Sequence, residues 1–164
     1  MTVPGPARIA CLLSFALAAS TAPQAAFAQE TSAWAVACDK GADGGRGECA
    51  AVGAVSSRSD RSRVIRVEVR RPAGGQPAIM VTVPVRTFLP PGATLRIDGA
   101  KLIQTAYQIC DEKGCYAGLP ADAATIDTLK KGQTLSVEFY NAARKKIELR
   151  FPLKGFTDAF AKAG

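Results

Sequence analysis

The chain can be organised around the stretch Cys110-Asp111-Glu112-Lys113-Gly114-Cys115. Two cysteines separated by four polar, turn-forming residues predict the tip of a tight hairpin closed by a disulfide. The segments on either side, residues 102–109 and 116–119, are predicted to be the strands of this hairpin. Nothing near the turn points to catalysis. By themselves, the residues indicate a small, disulfide-stabilised β domain.

Residues 1–28 have the organisation of a cleaved secretory signal peptide. Arg8 supplies the positive charge, and the apolar run over residues 9–19 is too short to span a bilayer as a stable helix. Ala26-Phe27-Ala28 matches a small-residue cleavage site, so we expect the mature chain to begin at Gln29. No later apolar run approaches the ~18 residues that a membrane helix needs. We therefore expect an exported chain with no transmembrane segment after cleavage.

The composition limits the possible chemistry. Cleavage leaves residues 29–164, a length that suits one domain with a core of its own. The signal peptide contains one arginine and no acidic residue, so the net charge falls from +7 to +6, which favours anionic partners. The sequence contains no histidine. Ser-His-Asp and Cys-His catalysis are thereby excluded within this chain, and so is the commonest metal ligand.

Four cysteines remain after the signal peptide takes Cys11, and an even number in an exported chain indicates disulfides. We predict the pairs Cys38–Cys49 and Cys110–Cys115, because each pair flanks a polar loop that contains glycine. Zinc is the alternative. However, ten residues separate the first pair, whereas structural zinc sites usually have about two to four. We expect neither a metal nor a cofactor.

Strict alternation of apolar and polar residues predicts the main strands. Residues 65, 67 and 69 are expected opposite 83, 81 and 79, and residues 135 and 137 opposite 151 and 149. Many short strands with frequent turns predict an all-β domain over about residues 31–153, either sandwich-like or a partly closed barrel. The predicted core includes Trp34, Val36, Ile65, Val67, Val81, Leu135, Val137, Leu149 and Phe151.

Loops and short helices complete the prediction. Residues 39–47 and 55–63 are expected to be polar loops, with a short strand over residues 49–52 between them. Asp122 is expected to cap a short helix that ends at Gly132. Thr157 is expected to cap a last helix containing Phe160. Both helices are predicted to be additions to the β domain.

Glu138 and Glu148 are the best candidate pair of catalytic carboxylates. The predicted register places them directly opposite each other with Cβ atoms about 5 Å apart, a spacing that suits a retaining glycosidase. The structural alternative is stronger, because Lys146 and Arg150 flank the pair on a solvated face. A flat hairpin also offers no cleft for a glycan.

Six arginines form the densest basic stretch of the chain. They could bind phosphates, anionic lipid headgroups or sulfated glycans. The alternative is a solvated strand face and loop. Nucleic acid is not expected as a partner, because no aromatic residue is interleaved to stack on bases. The six residues are Arg58, Arg61, Arg63, Arg66, Arg70 and Arg71.

Several stretches together resemble the invasion-associated locus B family of exported bacterial proteins. The matching segments are Trp34-Ala35-Val36-Ala37-Cys38, Pro84-Val85, Leu89-Pro90-Pro91-Gly92, Gly114-Cys115-Tyr116-Ala117 and Leu153-Lys154-Gly155-Phe156-Thr157. The resemblance implies a β protein without known catalysis, located in the periplasm, associated with the outer membrane or secreted by a Gram-negative bacterium. It also implies that entry into host cells is a role of some members.

Three functions therefore remain open from the sequence. The first is a non-enzymatic envelope protein that binds another envelope protein, an anionic glycan or a lipid surface. The second is a glycan hydrolase that uses Glu138 and Glu148. The third is a purely structural periplasmic protein.

Overall fold

The computed structural model describes Met1 and residues 30–31, 34–41, 45–56, 63–72 and 74–164. These residues form eleven strands and two helices. The strands are β1 Glu30–Thr31, β2 Ala35–Lys40, β3 Arg46–Ser56, β4 Arg63–Arg70, β5 Ala78–Val83, β6 Ala93–Ile97, β7 Ala100–Thr105, β8 Ile109–Asp111, β9 Gly114–Pro120, β10 Thr134–Tyr140 and β11 Lys146–Pro152. The helices are α1 Ala123–Lys131 and α2 Phe156–Lys162. The predicted signal peptide lies outside the described residues, apart from Met1.

The strands form two antiparallel sheets that pack on a shared core. The larger sheet has the order β1-β3-β4-β5-β9-β8, with β2 also paired to β3. The smaller sheet has the order β11-β10-β6-β7. Among the described residues, no strand of one sheet pairs with a strand of the other. The predicted all-β class is confirmed, and the architecture is sandwich-like rather than a closed barrel.

The predicted hairpin registers are confirmed by the strand pairing. Val67 lies opposite Val81, and Val69 lies opposite Ile79. In the smaller sheet, residue 135 lies opposite 151 and residue 137 lies opposite 149. Alternation therefore directs one apolar row from each strand into the space between the sheets. All the predicted core residues are buried except Val36, which is partly buried and packs against the core.

Trp34 joins the two sheets at the start of the domain. Its indole lies against Gly53 on β3, where an added Cβ would come within 3.2 Å of the ring. Its Nε1 donates a hydrogen bond of 2.9 Å to the carbonyl oxygen of Pro152 on β11. Its ring also meets the ring of Phe156 edge to face, with centroids 4.9 Å apart. The predicted core anchor is therefore also a polar link between the sheets.

The structure corrects the predicted strand over residues 102–109. This segment is divided between β7 of the smaller sheet and β8 of the larger sheet, so the chain crosses from one sheet to the other at residues 106–108. At the crossing, the side-chain amide of Gln108 accepts from the Gly118 N–H at 2.6 Å and donates to the Gly118 carbonyl at 2.8 Å. Strand β8 pairs with β9 only as far as Tyr116, and the Gln108 amide supplies the hydrogen bonds to the β9 backbone at Gly118.

The first predicted helix is confirmed, but the prediction that Thr157 caps the second helix was wrong. Asp122 Oδ1 accepts a hydrogen bond of 2.7 Å from the Thr125 N–H, and Gly132 follows the last helical turn. Helix α2 instead begins after Gly155, which has a φ of +88°, and no side chain caps it. Phe156 and Phe160 of α2 are fully buried, so this helix is part of the core.

The two N-terminal loops are shorter than predicted. Strand β2 continues to Lys40, and β3 extends over Arg46–Ser56 rather than residues 49–52. Paired backbone groups therefore occupy positions that composition alone assigned to loops. The middle of the second predicted loop, residues 57–62, lies outside the described residues.

Both expected disulfides are present. Cys38–Cys49 joins facing positions of β2 and β3, and Cys110–Cys115 joins facing positions of β8 and β9. Each bridge therefore fixes one local hairpin rather than linking the two sheets. Two disulfides in a small domain indicate a location outside the cytoplasm.

Candidate functional site

The outer face of the larger sheet carries the described part of the arginine stretch. The alternation that buries Val67 and Val69 directs Arg66, Glu68 and Arg70 outward from β4. Strands β5 and β9 pair beside β4 and place Thr82 and Tyr116 in the same row as Arg66. Three neighbouring strands thus contribute polar side chains to one surface.

Ion pairs hold this face together. Glu68 Oε1 lies 2.7 Å from Arg66 Nη2 and 3.5 Å from Arg70 Nη2. Arg70 Nη1 also lies 2.7 Å from Asp39 Oδ2 on β2, and this hydrogen bond holds the pKa of Asp39 below its ordinary value. The two arginines cover Glu68, which is only 8% exposed. Part of their charge is therefore neutralised within the protein.

The six predicted arginines do not form one described surface. Arg58 and Arg61 lie outside the described residues, and so does the side chain of Arg63 on β4. The guanidinium of Arg71 lies 4.4 Å from the ring centroid of Phe160, next to the C-terminal helix. Of the three arginines whose side chains are described, Arg66 and Arg70 lie together on β4 and Arg71 lies apart from them. Anion binding by the stretch stays a prediction.

A groove borders Arg66 on this face. We call it the Arg66 groove, and its volume is about 230 Å³. Arg66 and Lys113 supply cations, Thr82 supplies a hydroxyl, and Tyr116 supplies an aromatic ring. The lining residues are Ile65, Arg66, Glu68, Thr82, Val83, Pro84, Lys113 and Tyr116. The strand pattern could have shown that Thr82 on β5 and Tyr116 on β9 face outward. No local pattern could have shown that the turn residue Lys113 lies beside β4.

The turn that positions Lys113 is ordered by Asp111. The Asp111 carboxylate accepts hydrogen bonds from the N–H of Lys113 at 2.8 Å and of Gly114 at 3.1 Å, and from the Tyr116 hydroxyl. These bonds hold the pKa of Asp111 below its ordinary value, and the bond from the Lys113 backbone has the largest effect. Gly114 is required by close packing, because an added Cβ would lie 2.6 Å from the carbonyl oxygen of Val83. The hairpin tip is therefore fixed beside the Arg66 groove.

Glu138 and Glu148 lie opposite each other on the outer face of the smaller sheet, as predicted. Arg96 donates to both carboxylate oxygens of Glu138, at 3.0 and 3.4 Å, while Arg150 Nε donates to Glu148 at 2.9 Å. The hydrogen bond from Arg96 lowers the pKa of Glu138. A glycosidase acid requires the opposite shift.

The cavity on this face also fails to unite the two carboxylates. An open depression of about 470 Å³ includes Glu148 among its lining residues, but it does not include Glu138. Each carboxylate is instead paired with its own arginine. The arrangement resembles the alternating charges of a solvated sheet face more closely than a catalytic pair.

Two further properties concern metals and membranes. Within the described ranges, no group of three or more His, Cys, Asp or Glu residues is arranged to hold a metal ion. In the same part of the chain, neither helix has the length and apolar character required to cross a bilayer.

The comparisons with known proteins agree with this architecture. The model of the invasion-associated locus B (IalB) family matches residues 34–164. The chain belongs to the IalB family. Invasion protein B homologues from Brucella abortus strain 2308 and from B. abortus biovar 1 strain 9-941 are each 30% identical over 143 residues, covering 86% of this chain and 82% of the relative.

A solved IalB structure has the same fold. The crystal structure of invasion-associated protein B from Bartonella henselae superimposes with a TM-score of 0.67 and 21% identity, covering 81% of this chain and 93% of that chain. The relatives of this IalB-family chain are named as invasion proteins rather than as enzymes.

Proposed function

We propose that this IalB-family protein is a non-enzymatic interaction module of the bacterial envelope. Its proposed contact surface is the outer face of the larger sheet, and its proposed ligand is an anionic glycan. The Arg66 groove carries this proposal, because its two cations, Arg66 and Lys113, outnumber its one carboxylate, Glu68, beside a hydroxyl and an aromatic ring. The features of a hydrolase are weaker, since each carboxylate is paired with its own arginine and the depression on that face includes Glu148 but not Glu138.

The chemistry of the groove suits one charged group of a larger ligand. Its volume of about 230 Å³ is small beside the ~300–1,000 Å³ of typical small-molecule sites. Arg66 contacts Glu68 through Nη2, and an arginine has further N–H donors for a sulfate or carboxylate. Lys113 adds a second positive charge at the hairpin tip.

Binding to a column of immobilised heparin, a sulfated glycan, tests this proposal. We expect the mature protein to be retained and to elute earlier as salt is raised, because salt screens exposed charges. Arg66→Ala and Lys113→Ala should each reduce retention. Arg150→Ala is the matched control, since Arg150 is an exposed arginine on the other sheet. Salt-independent retention, or an equal loss in the control, would count against the Arg66 groove.

A protein partner is the principal alternative to a glycan. Crosslinking in intact cells, followed by mass spectrometry, distinguishes the two. Crosslinks from Lys113 to one envelope protein would favour a protein partner. Their absence, together with heparin retention that depends on Arg66, would favour the glycan.

The names of the relatives suggest host-cell contact as one setting for this module, and the envelope itself is the other. A deletion strain separates the two settings. Loss of entry into host cells with normal detergent resistance supports the first setting. Increased detergent sensitivity without a host supports the second.

We further propose export to the periplasm, the outer membrane or the medium after cleavage behind Ala28. The two disulfides support an extracytoplasmic location. Fractionation of cells and N-terminal sequencing of the mature protein test both statements. A chain that retains Arg8 in the purified protein would contradict cleavage.

A further inference from the structure

The described surface exposes few large apolar side chains, and two of them lie on one loop. Apart from Met1, the exposed ones are Val85 at 50%, Leu89 at 42% and Ile109 at 66%. Val85 and Leu89 belong to the connection between β5 and β6, residues 84–92. Single exposed apolar residues are ordinary, but their occurrence together on one loop needs an explanation.

This loop is held in place by the turn between β10 and β11. The Phe88 N–H donates to the Tyr140 carbonyl at 2.8 Å, and Thr87 forms a β-bridge with Asn141. Within the loop, Thr87 Oγ1 donates to the Pro84 carbonyl at 2.8 Å. Val85 and Leu89 are therefore displayed from an ordered backbone, so little conformational entropy is lost when they bind.

Cations occur in the same loop and in the turn that supports it. Arg86 lies between the two apolar residues in the loop, and the supporting turn contributes Arg144 and Lys145. Arg144 stacks over Phe88, with its guanidinium 4.9 Å from the ring centroid. Residues 84–92 and 139–147 contain no acidic residue. In the described part of the chain, no ion pair involves these three cations.

We propose that this end of the sandwich binds the surface of a bilayer that contains anionic lipid. Val85 and Leu89 would enter the boundary between headgroups and acyl chains, while Arg86, Arg144 and Lys145 would contact lipid phosphates. We call these five residues the membrane tip. The site goes beyond the proposed glycan contact and uses neither cation of the Arg66 groove.

A bilayer fits the membrane tip better than an acidic protein does. A specific protein interface usually buries about 800 Å² on each partner with close shape complementarity. The membrane tip offers two exposed apolar side chains and three cations rather than an extended surface. A fluid interface accepts such side chains without a complementary shape, and its negative potential attracts the cations.

Flotation with lipid vesicles tests this proposal on the full mature chain. We expect binding to vesicles of phosphatidylcholine mixed with phosphatidylglycerol, and little binding to phosphatidylcholine alone. The double variant Val85→Ser, Leu89→Ser should reduce affinity about 10-fold or more, because two apolar side chains no longer leave water. The double variant Arg86→Gln, Lys145→Gln should reduce it about 25-fold at low salt, or ~5-fold per cation.

Matched controls come from outside the membrane tip. Ile109→Ser removes an apolar residue that is more exposed than Val85 or Leu89, and Arg150→Gln removes a cation from the smaller sheet. Both variants should bind vesicles normally. Arg66→Ala should also bind normally, which separates this proposal from the glycan contact. Equal losses in the controls, or normal binding by both double variants, would overturn the membrane tip. Full release by soluble glycerol phosphate at matched phosphate concentration would reduce it to simple anion binding and overturn it too.

An insertion measurement gives an independent answer. In Leu89→Trp, the new indole should shift to shorter emission wavelength with anionic vesicles and be quenched by brominated lipid. Trp34 is 8% exposed and serves as an unchanged background. Ile109→Trp should show neither effect. A Leu89→Trp protein that floats with vesicles but is not quenched would contradict insertion. Binding of an acidic protein through the same residues, without binding to vesicles, would also contradict it.

Discussion

At the scale of single residues, Trp34 has the largest expected effect on stability. It packs on Gly53, meets Phe156 and donates a hydrogen bond to Pro152 across the sheets. Trp34→Ala should reduce the free energy of unfolding by about 3–5 kcal/mol, as for other buried aromatics. Trp34→Phe should cost less, because it keeps the apolar packing but leaves the Pro152 carbonyl without its donor. Urea unfolding measures both, and a loss below ~1 kcal/mol for Trp34→Ala would contradict this role.

Arg96 controls the ionisation of Glu138. Its hydrogen bonds lower the pKa of Glu138 from the ordinary value of 4.5, so Arg96→Gln should raise it, as a carboxyl-carbon NMR titration would show. Because the folded pKa is depressed, the stabilisation is present above the unfolded pKa and is lost as the pH falls through the folded value. The stability difference between wild type and Arg96→Gln should therefore be full near neutral pH and shrink below pH 4.5. A pH-independent difference would point to packing alone. Arg150→Gln is the control, because Arg150 contacts Glu148 rather than Glu138.

At the scale of secondary-structure elements, the two helices differ in how they begin. Asp122 caps α1, whereas Thr157 follows Gly155 and Phe156 inside α2. Asp122→Ala should therefore destabilise the fold, and Thr157→Ala should change stability by less than ~0.5 kcal/mol. Gly155→Ala should cost about 1–2 kcal/mol, because Gly155 has a left-handed backbone conformation. Thermal unfolding ranks the three variants; a Thr157→Ala effect as large as that of Asp122→Ala would restore the sequence-based cap.

The same elements show what the sequence could and could not predict. Strands β4, β5, β10 and β11 alternate over several residues, so their facing rows and registers followed from period two alone. The crossing at residues 106–108 carries no glycine or proline, and its contact with Gly118 depends on a strand ten residues away. Likewise, the Arg66 groove brings Lys113 to Arg66 only through the pairing of β4, β5 and β9. Local patterns predicted elements, whereas the candidate sites depend on long-range pairing.

At the scale of the whole molecule, the disulfides stiffen two edges of a domain whose core extends well beyond them. Both bridges are local, with sequence separations of 11 and 5. Closing such short loops restricts the unfolded chain little, and each bridge should contribute only about 2–3 kcal/mol in the chain-entropy model. The buried apolar residues of both sheets and both helices form one cluster, in which Cys115 is the one cysteine of the two bridges. Reduction should therefore lower the melting temperature and loosen the two hairpins while leaving the β fold intact.

Circular dichroism and amide exchange in the presence of a reductant provide the measurement. Exchange should accelerate first at β2 and at β8, which lie at the edges of the larger sheet, and later at β4 and β5 in its middle. Two double variants separate the bridges. One carries Cys110→Ala with Cys115→Ala, and the other carries Cys38→Ala with Cys49→Ala. The first double variant should also weaken the Arg66 groove, because the Cys110–Cys115 hairpin carries Lys113. Global unfolding on reduction at room temperature would show instead that the core alone cannot hold the sheets together.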